Sequence, residues 1–94
     1  MTVKVKLKFF AGIKNQIGRE NMDFDIKESA PTVDNLIKEL ILKLGPGAEA
    51  ALLTSSEKSY KFLLFINKKM TPNPKTAELK EGDLIYFMPP LSGG

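Results

Sequence analysis

The sequence contains neither cysteine nor histidine, and these two absences exclude more chemistry than any of its motifs suggests. Disulfides, thiolate zinc sites, iron–sulfur clusters and imidazole metal ligands are excluded, as are nucleophilic pairs of the Cys–His and Ser–His kinds. A metal site would need carboxylate and carbonyl oxygens alone. We therefore expect no bound metal and no bound cofactor.

Long apolar runs are also absent. The longest, such as Phe62 to Ile66, fall far short of the roughly 20 residues that a membrane span requires. The N-terminal segment MTVKVKLKFF alternates lysine with apolar residues, whereas a secretory signal needs an unbroken apolar stretch. These patterns predict a cytoplasmic protein without a membrane partner.

The positive charge is mild, with a formal net value of +3. Lysines 4, 6, 8, 68 and 69 would be the only basis for a nucleic-acid track, but Arg19 is the sole arginine and most aromatic residues fall at core positions. Asp23 and Asp25 share one strand face, yet a solvated face opposite lysines explains them better than a paired-carboxylate site. We expect no nucleic-acid partner and no catalytic residue in this chain.

What the sequence does contain is the pattern of one α+β domain. The 94 residues are 43% hydrophobic, which suffices for one core. Residues 3–9 alternate apolar side chains with lysine, and residues 22–27 alternate them with charged ones, so both segments predict strands with one wet face. Paired as a hairpin, they would set the lysines opposite the aspartates.

The segment TVDNLIKELILKLG, residues 32–45, predicts the main helix. Thr32 is a good N-cap, and Gly45 suits a left-handed position after the last turn. The helical spacing places one apolar stripe toward the sheet, consisting of Val33, Leu36, Ile37, Leu40, Ile41 and Leu44.

Three further strands complete the prediction. Residues 60–66 are apolar enough for an inner strand, a short edge strand fits near Met70, and residues 84–88 form the last strand. Pro89 and Pro90 end it, because neither can donate to a ladder. A sheet of four to five strands under one main helix is a two-layer α+β fold.

The chain finishes on MPPLSGG, and this segment predicts a presented end. We expect a domain over residues 1–88 and an extended tail over residues 89–94, about 20 Å long when fully extended. Gly93 and Gly94 add nothing wider than backbone, so the tail would fit a narrow channel of another protein. The group it delivers is the carboxylate of Gly94, which must be activated before it reacts. Because no phosphate-binding motif is present, a partner must bind the ATP.

With these motifs the chain resembles the MoaD family of ubiquitin-like β-grasp sulfur carriers, which form the small subunit of molybdopterin synthase. The similar segments are VKLKFFAGIKNQIG, PTVDNLIKELILKLG, FLLFIN and LKEGDLIYFMPPLSGG, and the specific one is Pro-Pro-x-x-Gly-Gly. The resemblance implies that an E1-like, MoeB-like enzyme adenylates Gly94, and that sulfur then gives a thiocarboxylate. It also implies that Pro89, Pro90, Leu91, Ser92 and Gly93 insert into a MoaE-like large subunit, where sulfur passes to a pterin precursor.

A partner interface follows from strand phase. If residues 3, 5, 7 and 9 face the core, Phe10 faces outward, as do Leu84, Tyr86 and Met88 of the last strand. Phe10, Met70 and Met88 also match positions at which the MoaD family has apolar contacts with its partners. We predict that these three form an interface at the base of the tail.

Two other functions share the same activated end. One is a sulfur carrier for thiamine thiazole synthesis or tRNA thiolation, although the thiazole carriers typically lack the Pro-Pro pair. The other is a protein modifier, in which a lysine captures the activated carboxyl. A C-terminal thiocarboxylate identifies a carrier, and lysine adducts identify a modifier.

Overall fold

The computed structural model describes residues 2–27 and 29–90, and in this part of the chain it forms one five-stranded mixed sheet with helices on one face. The strands are β1 (Thr2–Phe9), β2 (Asn21–Lys27), β3 (Leu63–Ile66), β4 (Lys69–Met70) and β5 (Leu84–Met88). The helices are α1 (Ala11–Ile17), α2 (Val33–Leu44) and α3 (Pro46–Leu52), with a 3-10 turn at Pro74–Thr76. The predicted α+β class is confirmed.

The sheet has the order β2-β1-β5-β3-β4. Strands β1 and β2 pair antiparallel, and their register sets Lys4 opposite Asp25 and Lys6 opposite Asp23, as the charge pattern predicts. The last strand inserts parallel to β1 and antiparallel to β3, so the chain ends its final strand in the middle of the sheet.

Helix α2 begins and ends where its sequence indicates. The hydroxyl of Thr32 accepts a hydrogen bond from the backbone N–H of Asn35 at 3.3 Å, which satisfies one of the free donors of the first turn. Gly45 has a positive φ of 89°, but its ψ of −164° lies outside the expected left-handed helical region. This conformation is essentially confined to glycine, and it lets α3 start at once with Pro46.

The core lies between the sheet and the helices. No polar or charged side chain among the described residues is buried, so the core is purely apolar. Phe9 and Phe87 stand side by side on β1 and β5 with ring centroids 5.2 Å apart, and Phe62 lies 5.1 Å from Phe87. Four of the six predicted stripe residues of α2 are buried, namely Val33, Leu36, Ile37 and Leu40.

The third strand is shorter than predicted. Only residues 63–66 pair as β3, whereas Tyr60 makes an isolated bridge with Leu53. The Tyr60 side chain makes other contacts. Its ring stacks on Phe62 with centroids 4.9 Å apart, and its hydroxyl donates to Asp34 at 3.0 Å. That contact joins the segment before β3 to the first turn of α2.

Candidate functional site: the end of β5 and the outer face of the sheet

The central position of β5 determines where the tail leaves the domain. Strand β5 ends at Met88, directly opposite Leu63 of β3. Pro89 is half-buried and Pro90 is exposed, and neither belongs to a strand. The remaining predicted tail residues, Leu91, Ser92, Gly93 and Gly94, lie outside the described residues.

The face of the sheet away from the helices carries a continuous apolar strip. Strand register sets Tyr86 beside Phe65, and Phe65 beside Met70 on the edge strand β4. Side chains in register lie on one face, and successive residues alternate between faces, so this row faces solvent. We use the term outer-face patch for Phe10, Leu63, Phe65, Met70, Leu84, Tyr86 and Met88.

Phe10 is fixed at one border of the outer-face patch by its backbone. Its N–H donates to the carbonyl of Phe87, and its own carbonyl accepts from the N–H groups of Ile13 and Lys14. The next residue, Ala11, has a φ of 51°, which turns the chain sharply out of β1 into α1. The Phe10 ring therefore stays beside the sheet.

Aromatic and cationic contacts connect Phe10 to the strip. The ring centroids of Phe10 and Tyr86 are 5.2 Å apart and tilted by 59°. The ammonium of Lys8 lies 5.4 Å from the Phe10 centroid and 5.9 Å from that of Tyr86, within the range of cation–π attraction. The Lys8 ammonium therefore lies against two aromatic rings of the outer-face patch.

The three predicted interface residues all lie on this patch. Met70 is 55% exposed, whereas Phe10 and Met88 are half-buried. Their role as an interface stays a prediction. Sequence reasoning missed Phe65 and Leu63, because an uninterrupted apolar run such as FLLFI does not reveal which side chains face outward.

Metal-binding clusters and membrane-spanning helices are not found in residues 2–27 and 29–90. These residues contain no group of three or more carboxylates placed to hold a metal ion. The helices described in this range are too short or too polar to cross a membrane. The apolar strip faces outward and lies beside Met88, the last residue of β5.

The sequence of the chain matches the model of a known protein family. The model of the ThiS family matches residues 7–94, which is nearly the whole chain. The chain belongs to the ThiS family. The matched range includes both the main helix and the Gly-Gly end of this ThiS-family chain, so the family resemblance predicted from the sequence is confirmed.

A curated relative is similar over its full length. The molybdopterin synthase sulfur carrier subunit of Dictyostelium discoideum is 28% identical to this ThiS-family chain over 94 residues, which cover all of both chains.

Solved structures share the fold. Small archaeal modifier protein 1 from Methanosarcina acetivorans has a TM-score of 0.76 at 23% identity, with 100% of this chain and 99% of that chain covered. A chain from the complex of subunits 1 and 2 of the Helicobacter pylori molybdopterin-converting factor has a TM-score of 0.60 at 24% identity. The match covers 98% of this chain and 100% of that chain. These likenesses confirm the ubiquitin-like β-grasp expected for ThiS-family proteins.

Proposed function

We propose that this ThiS-family protein is the sulfur carrier subunit of a molybdopterin synthase, and that the carboxyl of Gly94, as the terminal residue, is the group that carries sulfur. The observation that supports the proposal most is the full-length similarity to a molybdopterin synthase sulfur carrier subunit, with the Gly-Gly end inside the matched family range. The absence of cysteine fits, since this chain cannot hold sulfur as a persulfide.

The chemistry required of the tail is acyl activation followed by substitution. A carboxylate is a poor electrophile at neutral pH, because it is ionised. An activating enzyme would join the Gly94 carboxylate to the α-phosphate of ATP, which releases pyrophosphate and gives an acyl-adenylate. Hydrosulfide would then attack the acyl carbon and form the C–S bond as AMP leaves, which yields the thiocarboxylate and a proton.

Partners supply the catalytic groups in this proposal. An E1-like, MoeB-like enzyme binds ATP and performs the activation, and a MoaE-like large subunit receives the tail. One solved relative is a complex of subunits 1 and 2 of a molybdopterin-converting factor. In our proposal Phe10, Met70 and Met88 dock on such a partner in the cytoplasm, while Pro89 and Pro90 direct the chain away from the sheet.

The decisive experiment is intact mass spectrometry of the full chain after incubation with ATP, an E1-like enzyme and a sulfur source. We expect replacement of one oxygen by sulfur, localised to Gly94 by fragmentation. The matched control lacks Gly94 and should gain no sulfur while its melting temperature stays unchanged. If a competent enzyme leaves the mass unaltered, the proposal is wrong.

The same experiment distinguishes a carrier from a modifier. In the presence of cell protein, capture of the activated carboxyl by lysine would give isopeptide adducts ending in Gly94. Adducts without thiocarboxylate would identify a modifier. Transfer of the sulfur to a pterin precursor, in the presence of a large subunit, would select molybdopterin synthesis over thiazole synthesis or tRNA thiolation.

A further inference from the structure

Strand β2 forms an open edge of the sheet. Its neighbour on one side is β1, and within the described residues no strand pairs with its other side. The N–H of Phe9 donates to the carbonyl of Glu20, which identifies the hydrogen-bonded pairs of this antiparallel ladder. By alternation, the backbone N–H and C=O groups of Asn21, Asp23 and Asp25 point away from the sheet.

A shallow groove lies beside this edge, between β2 and α2. It is lined by Phe24, Asp25, Glu39, Leu42 and Lys43. Leu42 is 85% exposed and does not belong to the buried stripe of α2. The Lys43 ammonium lies 5.6 Å from the Phe24 ring centroid, so the rim of the groove also carries a positive charge on the helix side. The edge therefore has exposed leucine and unpaired backbone side by side.

The charges on this edge select what can pair with it. Asp23 and Asp25 are exposed on the outer face, and Glu39 adds a third carboxylate on the helix side. Two copies of β2 paired antiparallel in full register would set Asp23 of one copy opposite Asp25 of the other, and such like-charge pairs oppose self-association. A basic strand would meet opposite charge instead.

We propose that the β2 edge and its groove bind an extended segment of a partner protein in which basic and apolar residues alternate, added to the sheet as a sixth strand. Its basic side chains would lie opposite Asp23 and Asp25, and its apolar side chains would lie on the helix side against Leu42. Strand β1 is an example of such a sequence, because TVKVKLKF already pairs with the other side of β2 with Lys4 and Lys6 opposite the two aspartates.

This edge is separate from the outer-face patch. Strand β2 and strand β4, which carries Met70, are the two opposite ends of the sheet. A partner bound at β2 would therefore leave the exit of the tail at Met88 accessible. The inference does not depend on the proposed function.

The test is a titration of the isotopically labelled full chain with a capped TVKVKLKF peptide, followed by amide chemical shifts. We expect the largest changes in residues 21–27 and 42–43, with an affinity that falls as salt rises. Leu42→Ala should weaken binding about fivefold, and so should Asp23→Asn combined with Asp25→Asn. Met70→Ala is the matched control, since it truncates an exposed residue on the other edge, and it should not change the affinity.

Several results would overturn the proposal. One is equal binding of the same peptide with its lysines replaced by glutamate. Others are shift changes centred on Met70 instead of β2, or no change at millimolar peptide. Loss of the native Thr2–Phe9 signals would mean that the peptide displaces β1, which also contradicts addition at the open edge. Thermal melts of each variant establish that it is folded.

Discussion

Tyr60 and Asp34 are in contact, and the ionisation of both side chains is coupled to folding. Burial and the hydrogen bond to Asp34 together raise the pKa of Tyr60 well above its ordinary value. Burial opposes ionisation of Asp34, but the hydrogen bond from Tyr60 and the charge of Lys38 outweigh it and lower the pKa of the Asp34 carboxyl. The folded state thus favours neutral tyrosine beside ionised aspartate.

A pH dependence follows for each partner. Because the pKa of Tyr60 is raised on folding, its contribution to the free energy of unfolding is fully present below pH ~10. This contribution is lost as pH rises toward the folded-state pKa. Because the pKa of Asp34 is lowered, its contribution is present above pH ~4 and is lost as pH falls through the folded-state value. Between these limits the contact is intact.

Tyr60→Phe should remove the alkaline part of this dependence. At pH 7 we expect a loss of about 1 kcal/mol in the free energy of unfolding, since a hydrogen bond to a charged group at a half-exposed site disappears. Denaturant unfolding between pH 7 and 11 measures both effects. Tyr86→Phe is the control and should retain the decline due to Tyr60. An undiminished alkaline decline in Tyr60→Phe would contradict the assignment.

Lys68 occupies a backbone conformation that suits glycine. The two-residue loop between β3 and β4 has positive φ at both positions, 53° for Asn67 and 71° for Lys68, as in a type I′ turn. A left-handed conformation costs a non-glycine residue about 1 kcal/mol or more, and glycine removes this cost. Glycine also raises the conformational entropy of the unfolded chain, which offsets part of the gain in stability.

We therefore expect Lys68→Gly to raise the free energy of unfolding by about 0.5 kcal/mol. The matched control is Lys69→Gly, one position later in β4, where glycine should lower stability because it weakens the strand. Chemical denaturation of both variants measures the difference. A destabilised Lys68→Gly variant would contradict this account of the turn.

At the scale of the element, helix α2 carries one buried leucine and one exposed leucine. Leu40 is fully buried under the sheet, and Leu42 is 85% exposed. We expect Leu40→Ala to lower the free energy of unfolding by about 3 kcal/mol, since it leaves a cavity. Leu42→Ala should change it by less than about 0.5 kcal/mol. Equal costs in urea titrations would contradict the packing of the helix.

The elements also differ in how far the sequence predicted them. Helix α2 was predictable because its caps and its apolar stripe indicate the same boundaries. Strand β3 was predicted too, but its start was not, because the Tyr60 hydroxyl donates to Asp34, which lies 26 residues earlier in the chain. The alternation of residues along a strand predicts which side chains face the helices. It does not predict that Phe65 belongs to the outer-face patch, because this depends on the pairing of Phe65 with Tyr86 and Met70.

At the scale of the whole molecule, the sheet gives each of its surfaces a different chemistry. The helix side is an apolar core, the outer face carries the outer-face patch beside the exit of β5, and the β2 edge carries exposed carboxylates beside Leu42. A carrier must be held by one protein after another while its tail is in use. Separate surfaces would let the domain be bound without blocking the tail.

The whole-molecule prediction concerns docking on the proposed large subunit. Met88→Glu should weaken binding about tenfold or more, because it places a charge in the centre of an apolar contact, and Phe10→Glu should act in the same direction. Leu42→Glu is the matched control, since it adds the same charge to an exposed apolar site on the opposite face. Calorimetric titration measures the affinities.

The fold should survive all three substitutions, because Met88 and Phe10 are half-buried on the outer face and Leu42 is exposed. Intact thermal melts would therefore attribute any lost affinity to the surface that was changed. If Met88→Glu and Phe10→Glu bind as tightly as the unmodified chain, the outer-face patch is not the docking surface. If Leu42→Glu alone weakens binding, the large subunit uses the helix face, and the tail must reach its active site around the edge of the sheet.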